Sequence, residues 1–80
     1  MKAKIYVTLK KSVLDPQGKT IQKALNSLGF KDIEDVRAGK YFEIKLSKGT
    51  KKAAEKNVKK MCEKLLSNTV IEDYNFKIEA

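Results

Sequence analysis

The residues of this chain that could carry out acid–base chemistry are carboxylates and lysines, because the sequence contains no histidine. Such groups work near neutral pH only when their pKa values are displaced. The acidic candidates lie in predicted loops or at the ends of predicted elements, where water keeps them ionised: Asp15, Asp32, Glu34, Asp35, Glu72 and Asp73. Asp15 precedes a proline, so we interpret it as a helix cap and not as a catalyst.

Two other features could indicate chemistry. Cys62 has no histidine to activate it and falls beside the apolar stripe of a predicted helix, so we interpret it as a small core residue. As the single cysteine it forms no internal disulfide and joins no metal-ligand cluster. The run Gly18-Lys19-Thr20 lacks the earlier glycine of a phosphate-binding loop. We therefore predict no catalytic centre, cofactor site or metal site in this chain.

Length and charge describe a small basic protein. Eighty residues predict one domain, residues 1–80, and 18 Lys and Arg against 10 Asp and Glu give a formal charge of +8. Seventeen of the 18 are lysines, which favours a solvated surface over a phosphate-reading site. No apolar run reaches the roughly 20 residues that cross a bilayer, and the alternating N-terminus is not a signal peptide. We expect a reducing cytosolic setting and no membrane partner.

The hydrophobic pattern predicts six elements. Period-2 alternation indicates strands and period-3.6 stripes indicate helices. Asp15 and Pro16 predict a helix start, although Gly18 disfavours that first turn, so the helix can begin a few residues later; Gly29 and Thr50 predict a helix end and a second helix cap. The predicted order is a strand at 2–10, a helix up to residue 29, strands at 33–37 and 41–47, a helix from 50 to 68, and a strand at 70–79.

This β-α-β-β-α-β order predicts an α+β ferredoxin-like sandwich, with two helices on one face of a four-stranded antiparallel sheet. The RNA-recognition motif shares the order, but only Gly39 and Phe42 match its aromatic strand. The open face of the predicted sheet is polar and carries Tyr6 and Tyr41. A solvated face and a docking surface are equally consistent with that composition.

Several stretches together are similar to one family. They are YVTLK (6–10), VLDPQG (13–18), AL (24–25), LGF (28–30), VRAGK (36–40) and MCEKLLSNTVIEDY (61–74). In order and spacing they resemble the PurS family, the small subunits of phosphoribosylformylglycinamidine synthase. The DPQG and VIEDY pieces are the most specific, and Ser67, where the family often has Ala, is a mild variation.

The resemblance implies a role in de novo purine synthesis. The holoenzyme converts formylglycinamide ribonucleotide, glutamine and ATP into the amidine. A large subunit performs the amidation with ATP and Mg, and a glutaminase subunit supplies ammonia. The small subunit is expected to lack an active site and a cofactor of its own, to form a homodimer or larger oligomer, and to bridge the other two subunits.

Residues at predicted connections are our candidates for contact with these partners, because side chains there reach outward without disturbing the core. They are Asp15, Gln17, Arg37, Lys40, Asn68, Glu72 and Asp73. Arg37 and Lys40 flank Gly39 and are expected to project from a hairpin; for Asp15 and Asn68, turn or cap chemistry is the better interpretation. The alternatives are a small basic nucleic-acid-binding module and a ferredoxin-like small-molecule sensor domain.

Overall fold

A computed structural model describes all residues, 1–80, and contains three strands and two α-helices. In chain order they are β1 (Lys2–Leu9), α1 (Pro16–Ser27), β2 (Gly39–Lys45), α2 (Lys51–Met61) and β3 (Glu72–Glu79). A π-helical turn, Cys62–Leu66, continues α2. Neither helix combines the length and the apolar character that a membrane crossing requires.

The strands form one antiparallel sheet with β1 in the centre, in the order β2-β1-β3. Ile5 lies opposite Phe42 on one side and Phe76 on the other, so the apolar residues of all three strands share one face. The side chains of Ala3, Ile5 and Val7 are completely buried beneath Val58 of α2 and Cys62 of the π-helical turn. The core is therefore the contact between α2 with its π-helical turn and one face of this sheet.

Helix α1 begins and ends where local chemistry predicts. Asp15 caps it by accepting the Gly18 N–H at 2.9 Å, and Pro16 is its first residue. At the other end Gly29 adopts φ 104°, and the Phe30 N–H donates to the Leu25 carbonyl at 3.0 Å, which is a glycine-terminated helix end. The expectation that Gly18 delays the helix start is wrong, because the helix begins at residue 16.

Helix α1 does not cover the sheet, which corrects the prediction of two helices packed on one face. Extensive packing against the strands is confined to α2 and its π-helical turn, and the chain measures 49 × 26 × 14 Å with a radius of gyration of 16.0 Å. A compact chain of this length has a radius of gyration of about 12 Å. The molecule is thus elongated, with α1 outside its core.

The predicted strand at 33–37 is absent, so the sheet has three strands instead of four. Side chains of α1 and of its N-cap instead bind backbone groups in and next to this segment. The Gln22 side-chain amide donates to the carbonyls of Ile33 and Glu34 at 3.2 and 3.1 Å, and the Ala38 N–H donates to Asp15 at 2.7 Å. The four-stranded ferredoxin-like arrangement is therefore replaced by a three-stranded sheet and an irregular connection, residues 30–38.

Candidate functional site

A cavity of about 190 Å³ lies at the carboxyl end of β1, beside the starts of β2 and β3. Four of the seven sequence-predicted contact residues line it: Asp15, Gln17, Lys40 and Glu72. Arg37 and Asn68 are bonded to the same connections, as described below. We call Asp15, Arg37, Lys40, Asn68 and Glu72 the polar network.

Asp15 is the buried centre of the polar network, with 3% of its surface exposed. One carboxylate oxygen accepts the Gly18 N–H at 2.9 Å, and the other accepts the Ala38 N–H at 2.7 Å. The hydrogen bond from the Gly18 N–H is the largest cause of a lowered pKa at Asp15, and the bond from the Ala38 N–H is the next. The positive charge of Arg37 lowers this pKa further. The cap predicted from the sequence is confirmed, and the same side chain also fastens α1 to the start of β2.

Arg37 fastens the chain that follows β1. Its guanidinium donates to the carbonyl oxygens of Lys10 at 2.8 Å and Val13 at 2.9 Å, with a longer contact to Leu9 at 3.4 Å. The expectation that Arg37 projects from a hairpin is wrong, since the strand before it does not form and its side chain turns onto these carbonyls. Whether it also meets a partner stays a prediction.

Glu72 joins β2 to the turn before β3. One carboxylate oxygen accepts the Asn68 N–H at 2.7 Å, and the other lies 3.6 Å from the Lys40 ammonium nitrogen. The Asn68 side chain accepts the Val70 N–H at 3.1 Å, so the turn interpretation of Asn68 is confirmed. These contacts link the turn before β3 to the start of β2 at this end of the sheet.

The remaining two candidates face solvent. Gln17 is exposed at the rim of the cavity, and Asp73 lies opposite Thr8 on the open face of the sheet, outside the cavity. The structure therefore does not bring Asp73 together with the others. Their role in partner contact stays a prediction.

Gly18 is a structural residue of the site that sequence reasoning misinterpreted. A Cβ atom built on it would lie 2.1 Å from the Val36 carbonyl oxygen and 2.9 Å from an Asp15 carboxylate oxygen. Only glycine allows α1 to start this close to the connection before β2. A glycine inside the first turn of a predicted helix was the available signal, because its low helix propensity requires another reason for its presence.

The open face of the sheet carries charges of both signs. Tyr6 and Tyr41 lie side by side with their ring centres 5.1 Å apart, and each is about half exposed. Two ion pairs flank them, Lys2 with Glu43 at 3.6 Å and Lys4 with Glu79 at 3.2 Å. Both earlier interpretations of this face, solvated surface and docking surface, fit these contacts.

The chemistry of the described groups is structural. The buried polar side chains hold backbone amides and carbonyls, which braces loops. The Cys62 thiol is buried, and this burial raises its pKa and keeps it protonated. Fold and site together define a small α+β protein whose conspicuous polar residues hold its connections in place.

Comparison with known proteins identifies the family. The family model described as "PurS: Phosphoribosylformylglycinamidine (FGAM) synthase" matches residues 2–80. The chain is 53% identical over 78 residues to phosphoribosylformylglycinamidine synthase subunit PurS of Bacillus subtilis, covering 98% of this chain and 92% of that protein. For the Methanocaldococcus jannaschii subunit the identity is 44%, with coverage of 98% and 94%. The chain therefore belongs to the PurS family.

Solved structures agree with this assignment. The B. subtilis PurS structure in its C2 crystal form matches with a TM-score of 0.88 at 52% identity, covering 99% of this chain and 98% of that one. A chain in the structure of PurLQS from Thermotoga maritima matches with a TM-score of 0.87 at 34% identity, covering 95% and 93%. The extended single-chain shape described above is thus shared with relatives.

Proposed function

We propose that this chain is the non-catalytic assembly subunit of a phosphoribosylformylglycinamidine synthase. In this proposal it bridges a large amidating subunit, which uses ATP and Mg, and a glutaminase subunit, and it works in the cytoplasm. The observation that carries the proposal is the full-length likeness to a chain of PurLQS from T. maritima. The polar network supports it, because its side chains are bonded within the chain and position surfaces for other chains to contact.

A homodimer is part of the proposal. An 80-residue chain with nine buried residues has a small core, and burial between two copies adds the apolar contact that one copy lacks. The edge strands β2 and β3 also expose backbone groups that a second chain can cover. We expect at least a dimer in sedimentation equilibrium at micromolar concentration, and a single 9.1 kDa species would contradict this part.

Reconstitution of the synthase tests the assembly role. The purified chain is mixed with the large and glutaminase subunits, and glutamine-dependent formation of the amidine is measured with and without it. We expect no turnover by the chain alone and a clear rise in activity when it completes the mixture. Turnover by the pure chain, or equal activity without it, would refute the proposal.

The charge of +8 also suggests a nucleic-acid-binding module, and one variant separates the two functions. Lys52, Lys56 and Lys59 are exposed on α2, away from the sheet. We expect replacement of all three by Gln to leave synthase assembly unchanged, since exposed charges contribute little to structure. A nucleic-acid-binding module would instead lose RNA retention in this variant and show binding that falls steeply with salt.

A further inference from the structure

Two connections at the carboxyl end of β1 expose apolar side chains. The connection from β1 to α1, residues 10–15, leaves 67% of Leu14 exposed, and the turn before β3 leaves 79% of Val70 and 40% of Ile71 exposed. Exposed apolar residues are ordinary when they are scattered singly, whereas a group of them marks an interaction site. We call Leu14, Val70 and Ile71 the end patch.

Backbone hydrogen bonds hold the two connections together. The Lys10 N–H donates to the Ile71 carbonyl at 2.9 Å, which joins one connection to the other. Within the first, the Val13 N–H donates to the Lys10 carbonyl at 2.9 Å, and within the second, the Ile71 N–H donates to the Asn68 carbonyl at 3.0 Å. The residues of the end patch therefore lie on ordered turns that have a fixed relative position.

The polar network supports the same two turns from behind. The Arg37 guanidinium donates to the carbonyls of Lys10 and Val13, and Glu72 accepts the Asn68 N–H. A surface that is ordered before it binds loses less conformational entropy when a partner attaches. The network thus gives the exposed apolar residues the fixed positions that anchor residues of an interface need.

The charge next to the end patch is positive. Lys10 and Lys11 lie in the first connection, and neither forms an ion pair within the chain. Lys40 is paired with Glu72, and Asp73 lies on the open face of the sheet. A second copy of the chain would bring like charges together at this patch. The complementary surface is instead an apolar one with acidic side chains at its border.

We propose that the end patch is the docking surface for another subunit of the synthase, one that presents an apolar pocket bordered by carboxylates. The inference rests on the proposed assembly function and specifies the surface that this function uses. Leu14 and Val70 are the anchors that enter the pocket, and Lys10 and Lys11 meet its acidic border. The polar network does not touch the partner through its buried groups and acts by positioning the two turns.

Substitution of the anchors tests the apolar part. Leu14→Ser and Val70→Ser remove exposed apolar side chains, and Ser12→Ala and Thr69→Ala are matched controls at exposed positions of the same two connections. Each variant is titrated into a mixture of the large and glutaminase subunits, and the concentration that gives half-maximal amidine formation is measured. We expect this concentration to rise about 10-fold for each anchor variant, and further for the pair, while the controls match the unchanged chain.

Charge reversal tests the basic margin. One variant carries Lys10→Glu and Lys11→Glu, and its control carries Lys52→Glu and Lys56→Glu on the exposed side of α2. We expect the half-maximal concentration to rise about 10-fold for the first variant, because its new carboxylates face an acidic border. The control should behave like the unchanged chain. Added salt should weaken assembly of the unchanged chain more than that of the first variant, since salt screens attraction between exposed charges.

Urea denaturation and sedimentation of each variant separate docking from folding and from self-association. A paired anchor variant that is folded and still assembles at the unchanged concentration would overturn the inference and leave the proposed function standing. Loss of the dimer in that variant would assign the end patch to a second copy, and the inference would be wrong.

An unchanged chain that does not raise synthase activity would refute the proposed function. Direct binding of the unchanged chain and the paired anchor variant to each purified subunit then decides the inference. Binding to one subunit that the paired variant weakens supports the docking surface. Equal binding of both chains, or no binding of the unchanged chain to either subunit, overturns it.

Discussion

The polar network at the carboxyl end of β1 and the exposed leucines of the two helical segments, Leu28 after α1 and Leu65 in the π-helical turn, differ in how far the single chain satisfies them. In the network, Asp15 and Arg37 bond to backbone groups of distant segments, and Glu72 accepts a backbone N–H of the turn just before it. On the apolar side, Leu28 and Leu65 contact mainly solvent. Three of the residues that were predicted to contact partners are thus bonded within the chain, whereas two leucines remain exposed.

The difference follows from the kinds of force involved. A buried backbone amide or carbonyl needs a hydrogen-bond partner at a fixed distance, so a single chain must supply one when it folds. Hydrophobic burial is non-directional and can be completed by any apolar surface, including that of a second chain. The hydrogen bonds of buried connections must therefore form within the chain, whereas an apolar face can also be buried later against a second chain.

The largest loss of stability is expected at Gly18, where an added side chain has no space. Gly18→Ala places a methyl group 2.1 Å from the Val36 carbonyl oxygen, so the start of α1 must move away from the connection. We expect a loss of about 2–3 kcal/mol in the free energy of unfolding, measured by urea denaturation. The control is Gly49→Ala, where the added group meets nothing but φ is 112°, and the expected loss is about 1 kcal/mol. Equal losses in both variants would contradict the close approach at Gly18.

An intermediate effect is expected for Asp15→Asn, together with a defined pH dependence. An asparagine oxygen can accept the Gly18 N–H, but its amide then points a donor at the Ala38 N–H. Because those N–H groups lower the pKa of Asp15 in the folded protein, its contribution to stability is present above the unfolded value of about 3.9 and is lost as the pH falls through the folded value.

Urea denaturation at several pH values measures this. We expect the variant to unfold at lower urea than the unchanged protein at neutral pH, and the gap to close on acidification below about pH 4. Gln17→Ala, at the exposed rim of the same cavity, serves as a control with little change. A gap that is independent of pH would show that the Asp15 charge does not hold the network.

The smallest of the three effects on stability concerns the buried side of the π-helical turn, where Cys62 lies. Cys62→Ala should cost about 1–2 kcal/mol, as expected for a small buried side chain, and should leave synthase assembly unchanged. Leu65 lies on the same turn but is exposed, so Leu65→Ala should leave the single-chain fold nearly unaffected. Burial raises the pKa of the Cys62 thiol, so a thiol reagent should react only as the protein unfolds. Fast reaction with the folded protein would contradict this.

Local sequence signals were sufficient for most of the elements. The cap at Asp15, the helix end at Gly29, the cap at Thr50 and the alternation around Ile5 act over a few residues, and each is found in the structure. The family assignment is confirmed as well, since it depends on residue order and spacing along the whole chain. Caps, helix ends and strand alternation depend on residues that are close in sequence, so the sequence is sufficient to predict them.

Only the tertiary structure decided which segments meet. Residues 33–37 were predicted to form a strand, but a strand also needs a neighbouring strand, and the Gln22 side chain instead binds the carbonyls of Ile33 and Glu34. The helical spacing of Ile21, Leu25 and Leu28 indicates an apolar face that packs against something, without indicating which surface covers it. Pairing and packing depend on contacts between residues distant in sequence, and local patterns cannot encode them because the same pattern fits more than one partner.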